Sequence, residues 1–521
     1  MGEGRAAAGK ARLTEIVALA CGAFMLCALP LLFHDALFDI NRVKAVAVRR
    51  VVPALCLAMA AALPLAGKAR RLPRGLKAIY VPCALMGLFA LACVASCARA
   101  GFESAVLLGD EGRYAGLFFM LSCAAAFFLM ALWLPRGGAL PGAFMLCGAA
   151  VSLLGTANLA GLDPLGFYAQ IRPGQEQMFL ATIGNVDFFG TYLLMPFSLA
   201  GGCALLGSGR RVRAFSAACA IAMLPGLAAA RTESAALGLC VACFTLFALS
   251  GDSLKRMALA LALWGAGMLA HPAVFLLAEQ SPYDPMYFGL PLALAAEGAG
   301  LLLGALLLAA ALCLLALSRR GAGAPGKRRL VLLCAALTAA AVLALLAAIV
   351  WFTAFAPQAP LGEAADILRF DDSWGSQRGF VYVRALRAFA GFDPPGKLFG
   401  GGMELTRRIL TPYFDNPAMP AADAYNDAHC QILQMLITCG LFGCAAFVGF
   451  YLSVLALLLR RAGRDPVLVG ALAAVTSYGV TLLINVTQPI LIASFFSLCA
   501  LAAARVRAQG SPNQEDAKDE S

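Results

Sequence analysis

Residues 330–350 have the sequence LVLLCAALTAAAVLALLAAIV, an unbroken apolar stretch without a charged side chain. A helix of about 20 such residues is long enough to cross the hydrocarbon layer of a membrane. Similar stretches recur along the 521 residues, of which 61% are hydrophobic and only 13% are charged. Soluble domains are about 25% charged, so this composition excludes soluble enzymes, nucleic-acid-binding proteins and secreted disulfide scaffolds. The sequence therefore predicts an all-α polytopic integral membrane protein.

Fourteen stretches are candidate spans, two of them short. They cover residues 13–33, 51–67, 78–98, 114–134, 139–160, 188–207, 213–229, 234–250, 255–278, 290–318, 329–353, 432–459, 466–484 and 488–506. This pattern predicts about 12 to 14 transmembrane helices. Residues 1–353 are expected to hold about eleven of them, and residues 431–508 about three. Residues 354–430 form a large loop between the two groups.

Basic residues indicate the orientation, because Lys and Arg collect in cytoplasmic loops. With a cytoplasmic N-terminus, four basic clusters fall on the cytoplasmic side, at residues 68–77, 210–213, 319–329 and 460–464. Both termini are then cytoplasmic, and residues 509–521 are expected to form a disordered tail. The large loop lies outside the cytoplasmic membrane. Topology thus explains the net charge of +11, and no nucleic-acid partner is expected.

One of the three histidines closes the large loop. His429 lies in DAYNDAHCQILQM (423–435), directly before an apolar helix that would hold its ring at the outer membrane surface. A histidine with a pKa of about 6.5 can take a proton from a hydroxyl group, so His429 is a candidate catalytic base. A purely structural role is equally open for it. His34 and His271 lie near span ends, where a packed or interfacial histidine is the simpler interpretation.

Two arginines have unusual sequence contexts. Arg231 occupies a very short outer turn, AARTES (229–234), and Arg378 opens the stretch RGFVYVRALRAF (378–389). If that stretch is helical, Arg378 shares a largely apolar face with Tyr382, and Arg384 and Arg387 point elsewhere. An arginine in apolar surroundings needs an anionic partner. This partner could be a carboxylate such as Glu233, a lipid headgroup, or the phosphates of a membrane-borne substrate.

No metal site or disulfide framework is expected. Asp423, Asp427 and His429 could suggest a metal, but no second histidine or cysteine pair completes a ligand shell. The eighteen cysteines lie almost wholly inside apolar stretches, where they act as small hydrophobic residues.

Four separated stretches resemble, in order, motifs of the O-antigen ligase and polymerase superfamily of bacterial envelope glycosyltransferases. They are ATIGNVDFFGTYLLMPFSLA (181–200), AARTESAALGL (229–239), RGFVYVRALRAFAGFDPPGKLFGGGMEL (378–405) and AHCQILQMLITCGLFG (428–443). Asp187 and Cys430 each stand where an Asn is common in the family, which leaves the orienting partner of His429 open. The resemblance covers roughly residues 110–460.

The resemblance implies a metal-independent, inverting glycosyltransferase without a cofactor. A glycan would arrive outside on undecaprenyl diphosphate, Arg231 and Arg378 would stabilise the diphosphate, and His429 would activate an acceptor hydroxyl. The acceptor would be a glycan, a lipid or a protein. The expected substrate-binding residues are Asn185, Asp187, Arg113 and Tyr382. For Asn185 and Asp187, a helix-capping role is an equal alternative.

Two kinds of alternative remain. Within the superfamily, a polysaccharide polymerase or a protein O-glycosylation ligase would use the same donor and the same activated hydroxyl. A lipid-linked oligosaccharide flippase is the rival from another class. A flippase would bury charged residues along a path through its spans, whereas the centres of the expected spans here are nearly free of charge.

Overall fold

A computed structural model describes residues 2–35, 37, 39–65, 75–171, 173–283, 286–287, 289–414, 425–485 and 487–509. It confirms the expected all-α polytopic membrane fold. Within these residues, 12 helices are long and apolar enough to cross a membrane, and two further apolar helices are shorter. The expected basic residues 68–74, the candidate metal ligand Asp423 and the tail residues 510–521 lie outside the described residues.

We number the fourteen apolar helices in chain order. They are α1 Leu13–Leu31, α2 Ile40–Leu65, α3 Leu76–Arg99, α4 Leu117–Trp133, α5 Ala139–Leu159, α6 Val186–Leu206, α7 Arg210–Ala229, α8 Glu233–Leu249, α9 Leu254–Ala278, α10 Ala299–Arg319, α11 Lys327–Phe355, α12 Gln431–Arg461, α13 Pro466–Ile484 and α14 Pro489–Gln509. Short helices lie at Ser104–Leu108, Phe167–Gln170, Glu176–Met178, Gly289–Ala295, Gly362–Ala364, Ala365–Leu368, Trp374–Ala390, Pro394–Phe399, Thr406–Leu410 and Thr411–Tyr413. Strand β1 (Phe179–Leu180) pairs antiparallel with β2 (Gly184–Asn185).

Helix α2 begins at Ile40, well before the start expected at residue 51. The expected start was too late because the first turns carry four basic side chains, which are uncommon in a membrane span. One of them, Lys44, is fully buried. Its Nζ donates hydrogen bonds to the carbonyl oxygens of Leu29 (3.0 Å) and Leu32 (2.7 Å), where α1 ends. A cation is favourable at a helix C-terminus, so Lys44 joins the first two helices.

The single span expected at residues 290–318 is divided. A short helix, Gly289–Ala295, ends before α10 begins at Ala299. Gly298 between them has φ 84°, a left-handed conformation that interrupts a right-handed helix at little cost only for glycine. Apolar composition alone could not reveal this break.

All even-numbered helices begin at one end of the bundle, which we call the site end. There, Asn41 at the start of α2 donates a hydrogen bond to Gly112 O, shortly before α4 (2.9 Å). Ser234 in α8 contacts Asp187 in α6. At the opposite end, Asp465 caps the start of α13 and pairs with Arg505 of α14 at 2.6 Å. Helices α6 and α14 are almost wholly buried, whereas α10 and α11 are mostly exposed.

A kink in α12 holds the large loop against the bundle. Gly440 interrupts the helix with φ 68° and ψ −170°. The opened backbone accepts hydrogen bonds from the loop: Gly401 N donates to Ile437 O (2.8 Å), and Gly402 N donates to Thr438 O (3.2 Å). A Cβ at residue 440 would lie 2.4 Å from Leu398 O, so the close approach requires glycine. This contact fixes the loop within three turns of His429.

Candidate active site

His429 lies immediately before α12 at the site end, and its ring is oriented by Asp427. The Nδ1 atom is 3.2 Å from Asp427 Oδ1, and the same oxygen accepts a hydrogen bond from the His429 backbone N–H (2.8 Å). The His429 side chain keeps 37% of its surface exposed. An Nδ1–H that donates to Asp427 leaves the lone pair on Nε2, the form of histidine that can accept a proton.

The second oxygen of Asp427 belongs to a buried ion-pair network. Arg113 Nη1 lies 3.4 Å from Asp427 Oδ2, and its Nε lies 3.3 Å from Glu404 Oε2. Arg113 is 2% exposed and Glu404 is 6% exposed. Burial raises the pKa of Glu404, and the charge of Arg113 opposes this rise. The structure thus places Arg113 beneath the Asp427–His429 pair, and its expected contact with substrate stays a prediction.

Tyr382 and Gln431 fix the backbone around His429. The Tyr382 Oη atom lies 3.0 Å from His429 O and 2.9 Å from Leu483 O, so its hydroxyl hydrogen is shared between two carbonyls. Burial raises the pKa of Tyr382, which therefore stays protonated. Gln431 Oε1 accepts hydrogen bonds from Thr487 N (3.1 Å) and Thr487 Oγ1 (2.8 Å). The α12 start is thereby tied both to the loop helix and to the α13–α14 connection.

Arg378 begins the regular part of the helix Trp374–Ala390. Residues 375–377 have positive φ, so the helical conformation starts at Arg378, and Tyr382 follows one turn later. The Arg378 guanidinium donates from Nε to Ile484 O (2.7 Å) and from Nη1 to Gly375 O (2.7 Å). Both acceptors are neutral carbonyls. Among the described residues, no carboxylate forms an ion pair with this side chain.

Asp187 is an acidic residue near Arg378. Its carboxylate accepts a hydrogen bond from Ser234 Oγ (3.4 Å), and the positive charge of Arg378 acts on it. Asn185 is the N-cap of α6, because its Oδ1 accepts a hydrogen bond from Asp187 N (2.9 Å). The helix-capping interpretation of Asn185 is therefore confirmed. Asp187, Arg378 and His429, distant in sequence, are thus within reach of electrostatic interaction with one another's side chains.

Arg231 occupies the α7–α8 turn with φ 52°. Its guanidinium donates to Ala229 O (3.2 Å), to Met286 O (3.4 Å) and to Gln177 O, and it lies 5.6 Å from the ring centroid of Tyr287. Burial lowers the pKa of Arg231, and the neighbouring tyrosines oppose this effect. The alternative ion pair with Glu233 is not formed. Arg231 is therefore a cation held by carbonyls and one aromatic ring.

These side chains combine two chemical capacities. The Asp427–His429 pair can accept a proton from a hydroxyl group placed near Nε2. Arg378 and Arg231 form no ion pair with a carboxylate among the described residues, and guanidinium groups bind phosphate oxygens well. Arg231 and His429 also adopt positive φ, a costly conformation that often marks functional sites when it occurs outside glycine. The site end thus holds a candidate base and two guanidinium groups that could bind an anion.

The sequence suggested Asp427 only as a candidate metal ligand, and its partnership with His429 was not expected. The spacing Asp-x-His was the available signal, since a carboxylate two residues before a histidine can reach its backbone N–H. Glu404 gave no such signal, because it meets Arg113 only through the fold. Within the described part of the chain, no three His, Cys, Asp or Glu side chains come together as metal ligands.

No protein-family model matches the sequence of this chain, and no curated protein matches it.

Proposed function

We propose that the protein is an O-antigen ligase-like glycosyltransferase of the cytoplasmic membrane. It transfers a glycan from an undecaprenyl-diphosphate donor to an acceptor hydroxyl on the outer side. The observation that carries the proposal is the pairing of His429 with Asp427 beside Arg378, because this constellation supplies both a base and an anion-binding group. The resemblance of four motifs, which contain Arg231, Arg378 and His429, adds the donor class.

The proposed step is a single displacement. His429 Nε2 takes the proton of the acceptor hydroxyl while its oxygen attacks the anomeric carbon of the glycan. The bond from that carbon to the diphosphate oxygen breaks, and its electron pair leaves with the diphosphate. Attack opposite the leaving group inverts the anomeric configuration. The Asp427 carboxylate stabilises the imidazolium that forms, since its Oδ1 lies 3.2 Å from Nδ1.

The two arginines stabilise the diphosphate as it leaves. Arg378 and Arg231 donate to neutral carbonyls, which position the guanidinium groups without neutralising them. Developing negative charge on phosphate oxygens is stabilised most by cations that are already in place. The bond to be broken is activated by the lipid diphosphate itself, so the proposed reaction needs neither nucleotide nor metal.

Two further features support an outward-facing site. The site end carries the ion-paired cluster, whereas the expected cytoplasmic basic residues lie where even-numbered helices end, at the opposite end of the bundle. Described examples are Arg210, Arg319 and Arg464. Lys and Arg collect on the cytoplasmic side, which favours the site end as the outer one. An undecaprenyl diphosphate in the outer leaflet would present its head group at that level.

The test is glycan transfer in proteoliposomes. Purified protein would receive a fluorescent glycan on undecaprenyl diphosphate, an envelope acceptor extract and a chelator. We expect His429→Ala and Arg378→Ala to slow transfer by at least about 10²-fold. His34→Ala and Arg387→Ala serve as matched controls, because they remove the same residue types elsewhere on the chain, and they should retain activity.

The products also discriminate the alternatives. A single product band supports a ligase, whereas a ladder of chain lengths supports a polymerase, and labelled protein supports an O-glycosylation ligase. If the donor merely changes leaflet, and does so equally well in His429→Ala, the transferase assignment is wrong and a flippase replaces it.

A further inference from the structure

A left-handed turn precedes Arg378. Gly375, Ser376 and Gln377 have φ values of 58°, 58° and 72°, so three successive residues leave the right-handed region. Left-handed backbone costs little at glycine but is unfavourable elsewhere, because the Cβ comes too close to the following carbonyl oxygen. Ser376 and Gln377 keep this conformation only if other contacts hold it. Regular helix begins at Arg378, so the turn sets where that side chain starts.

Hydrogen bonds from three directions hold the turn. Within the segment itself, Gln377 N donates to Ser373 O (3.1 Å). From the helix that follows, Arg378 Nη1 donates to Gly375 O (2.7 Å). From a part of the loop 48 residues away in the sequence, Tyr425 Oη donates to Gln377 Oε1 (2.7 Å). The Tyr425 hydroxyl is thus the long-range contact among the three.

The ring of Tyr425 contacts the imidazole of His429. The two ring centroids are 6.0 Å apart, and the ring planes are nearly perpendicular, at 81°. The contact between Nδ1 and Asp427 fixes one point of the imidazole, whereas a neighbouring aromatic ring restricts its plane. Tyr425 is only 5% exposed, so it offers little surface to a substrate. This burial is typical of a residue that orients its neighbours.

Tyr425 is itself fixed by other aromatic rings. Its ring stacks on Phe414, with centroids 5.4 Å apart, and lies 6.0 Å from the ring of Phe380. Phe380 is fully buried and follows Arg378 by two residues on the same helix. Tyr425 therefore contacts this helix segment at two points, through its hydroxyl at Gln377 and through its ring at Phe380. A shift of the segment would displace the tyrosine ring.

We propose that Tyr425 is a positioning residue that couples His429 to Arg378. Its ring fixes the plane of the imidazole, and its hydroxyl holds the left-handed turn from which Arg378 starts. One buried side chain thereby sets two groups that belong to different parts of the loop. The effect of this coupling on glycan transfer rests on the proposed function, whereas the coupling itself does not.

Nuclear magnetic resonance of the histidine rings tests the coupling without activity. The chain has three histidines, so full-length protein with isotopically labelled histidine gives three imidazole signals, and His429→Ala identifies the relevant one. We expect Tyr425→Leu to move and broaden this signal, because the neighbouring ring is lost. Tyr413→Leu is the matched control, since Tyr413 packs in the same loop cluster with its hydroxyl beside Gly391. An unchanged His429 signal in Tyr425→Leu would overturn the proposal.

A second set of variants tests the hydroxyl contact and leaves the ring in place. Gln377→Ala removes the acceptor of the Tyr425 hydroxyl, and we expect this change in the turn to move the His429 signal. The same substitution should add nothing in a Tyr425→Phe background, where the contact is already lost. Gln280→Ala, in an exposed turn after α9, is the control. No effect of Gln377→Ala, or equal effects in both backgrounds, would contradict coupling through the hydroxyl.

Transfer kinetics test the consequence for the site. Tyr425→Phe should lower kcat about tenfold and leave KM nearly unchanged, because the reacting groups remain while their alignment is lost. Ser376→Gly should restore kcat in the Tyr425→Phe protein, since glycine adopts the left-handed conformation without help from the hydroxyl. Ser376→Ala is the matched control and should not restore kcat, because alanine keeps the unfavourable Cβ. Ser376 is exposed, so neither substitution disturbs packing.

The rescue separates this inference from the proposed function. A loss of kcat that Ser376→Gly does not restore, or equal restoration by glycine and alanine, would overturn the proposal. If wild type transfers nothing at all, the proposed function fails, and the histidine signals still decide whether Tyr425 couples the turn to His429.

Discussion

The Nδ1 atom of His429 lies 3.2 Å from Oδ1 of Asp427, and the other oxygen of Asp427 faces Arg113. His429 is thus the more exposed end of a series of polar contacts that continues through Asp427 to the buried Arg113. In such an arrangement the carboxylate fixes the orientation and tautomer of the ring, and the buried arginine fixes the carboxylate. Arg113 and Glu404 form the buried end of this chain of contacts.

Arg113 is expected to be essential for stability. Arg113→Met would leave Glu404 and Asp427 without their shared partner, and Arg113 is only 2% exposed. Removing one member of a buried ion pair typically costs about 3–5 kcal/mol of unfolding free energy. Thermal unfolding in detergent would measure the loss. Arg136→Met is the control, since the Arg136–Asp465 pair is partly exposed and should change stability by no more than about 1 kcal/mol. Equal effects of the two variants would contradict the network.

Glu404 predicts a pH dependence of stability. Burial raises its pKa above the ordinary value of 4.5. A carboxyl with a raised folded pKa binds its proton more tightly in the folded state, so its contribution to stability is present below pH 4.5 and is lost as pH rises through the folded pKa. Relative to Glu404→Gln, wild type should therefore lose stability as the pH rises above 4.5 and then level off. Unfolding midpoints measured across this range check the sign, and an opposite slope would refute it.

Tyr382 is expected to act through the position of His429. Tyr382→Phe removes the hydroxyl that contacts His429 O and Leu483 O. Loss of such a hydrogen bond costs about 1 kcal/mol of stability, and a less ordered His429 should lower kcat more than it changes KM. Transfer kinetics and thermal unfolding would be measured together. Tyr80→Phe is the control, because Tyr80 is 70% exposed on α3. A raised KM with unchanged kcat would instead support the substrate contact expected from the sequence.

Gly440 is expected to tolerate no side chain. In Gly440→Ala the new Cβ would lie 2.4 Å from Leu398 O, and the residue would keep an unfavourable φ of 68°. We expect a loss of about 2–3 kcal/mol in unfolding free energy, from backbone strain and overpacking. Gly87→Ala is a sharp control, since nothing lies within 4 Å of a Cβ there. A Gly440→Ala protein as stable as Gly87→Ala would show that the kink is not constrained.

The sequence predicted most of the fold because long apolar segments in a membrane protein have few alternatives to helix. The starts and ends of most spans agree with the structure to within a few residues. The sequence did not predict the first turns of α2, because a lysine such as Lys44 is typical of a loop. Only the structure shows that Lys44 is buried and contacts Leu29 and Leu32. The sequence did not predict the break at Gly298, because the hydropathy of a segment does not depend on its backbone conformation.

The candidate site could be predicted only in part. The sequence indicated His429 and Arg378, and the fold brings both beside Asp187. It could not reveal that Arg113 meets Asp427, since these residues are 314 positions apart and no local pattern connects them. Partnerships of this kind arise from packing between helices, so their members are recognised only when the helices are in place.

The most direct test of the central claim is a double-mutant cycle on glycan transfer with His429→Ala, Asp427→Asn and the combined variant. Asp366→Asn, an exposed acid in the same loop, serves as the control. If Asp427 acts only by orienting His429, Asp427→Asn alone should slow transfer by roughly 10²- to 10⁴-fold. The combined variant should then be no slower than His429→Ala. Transfer that survives in His429→Ala, or losses that multiply in the combined variant, would contradict the claim that His429 is the base and Asp427 its partner.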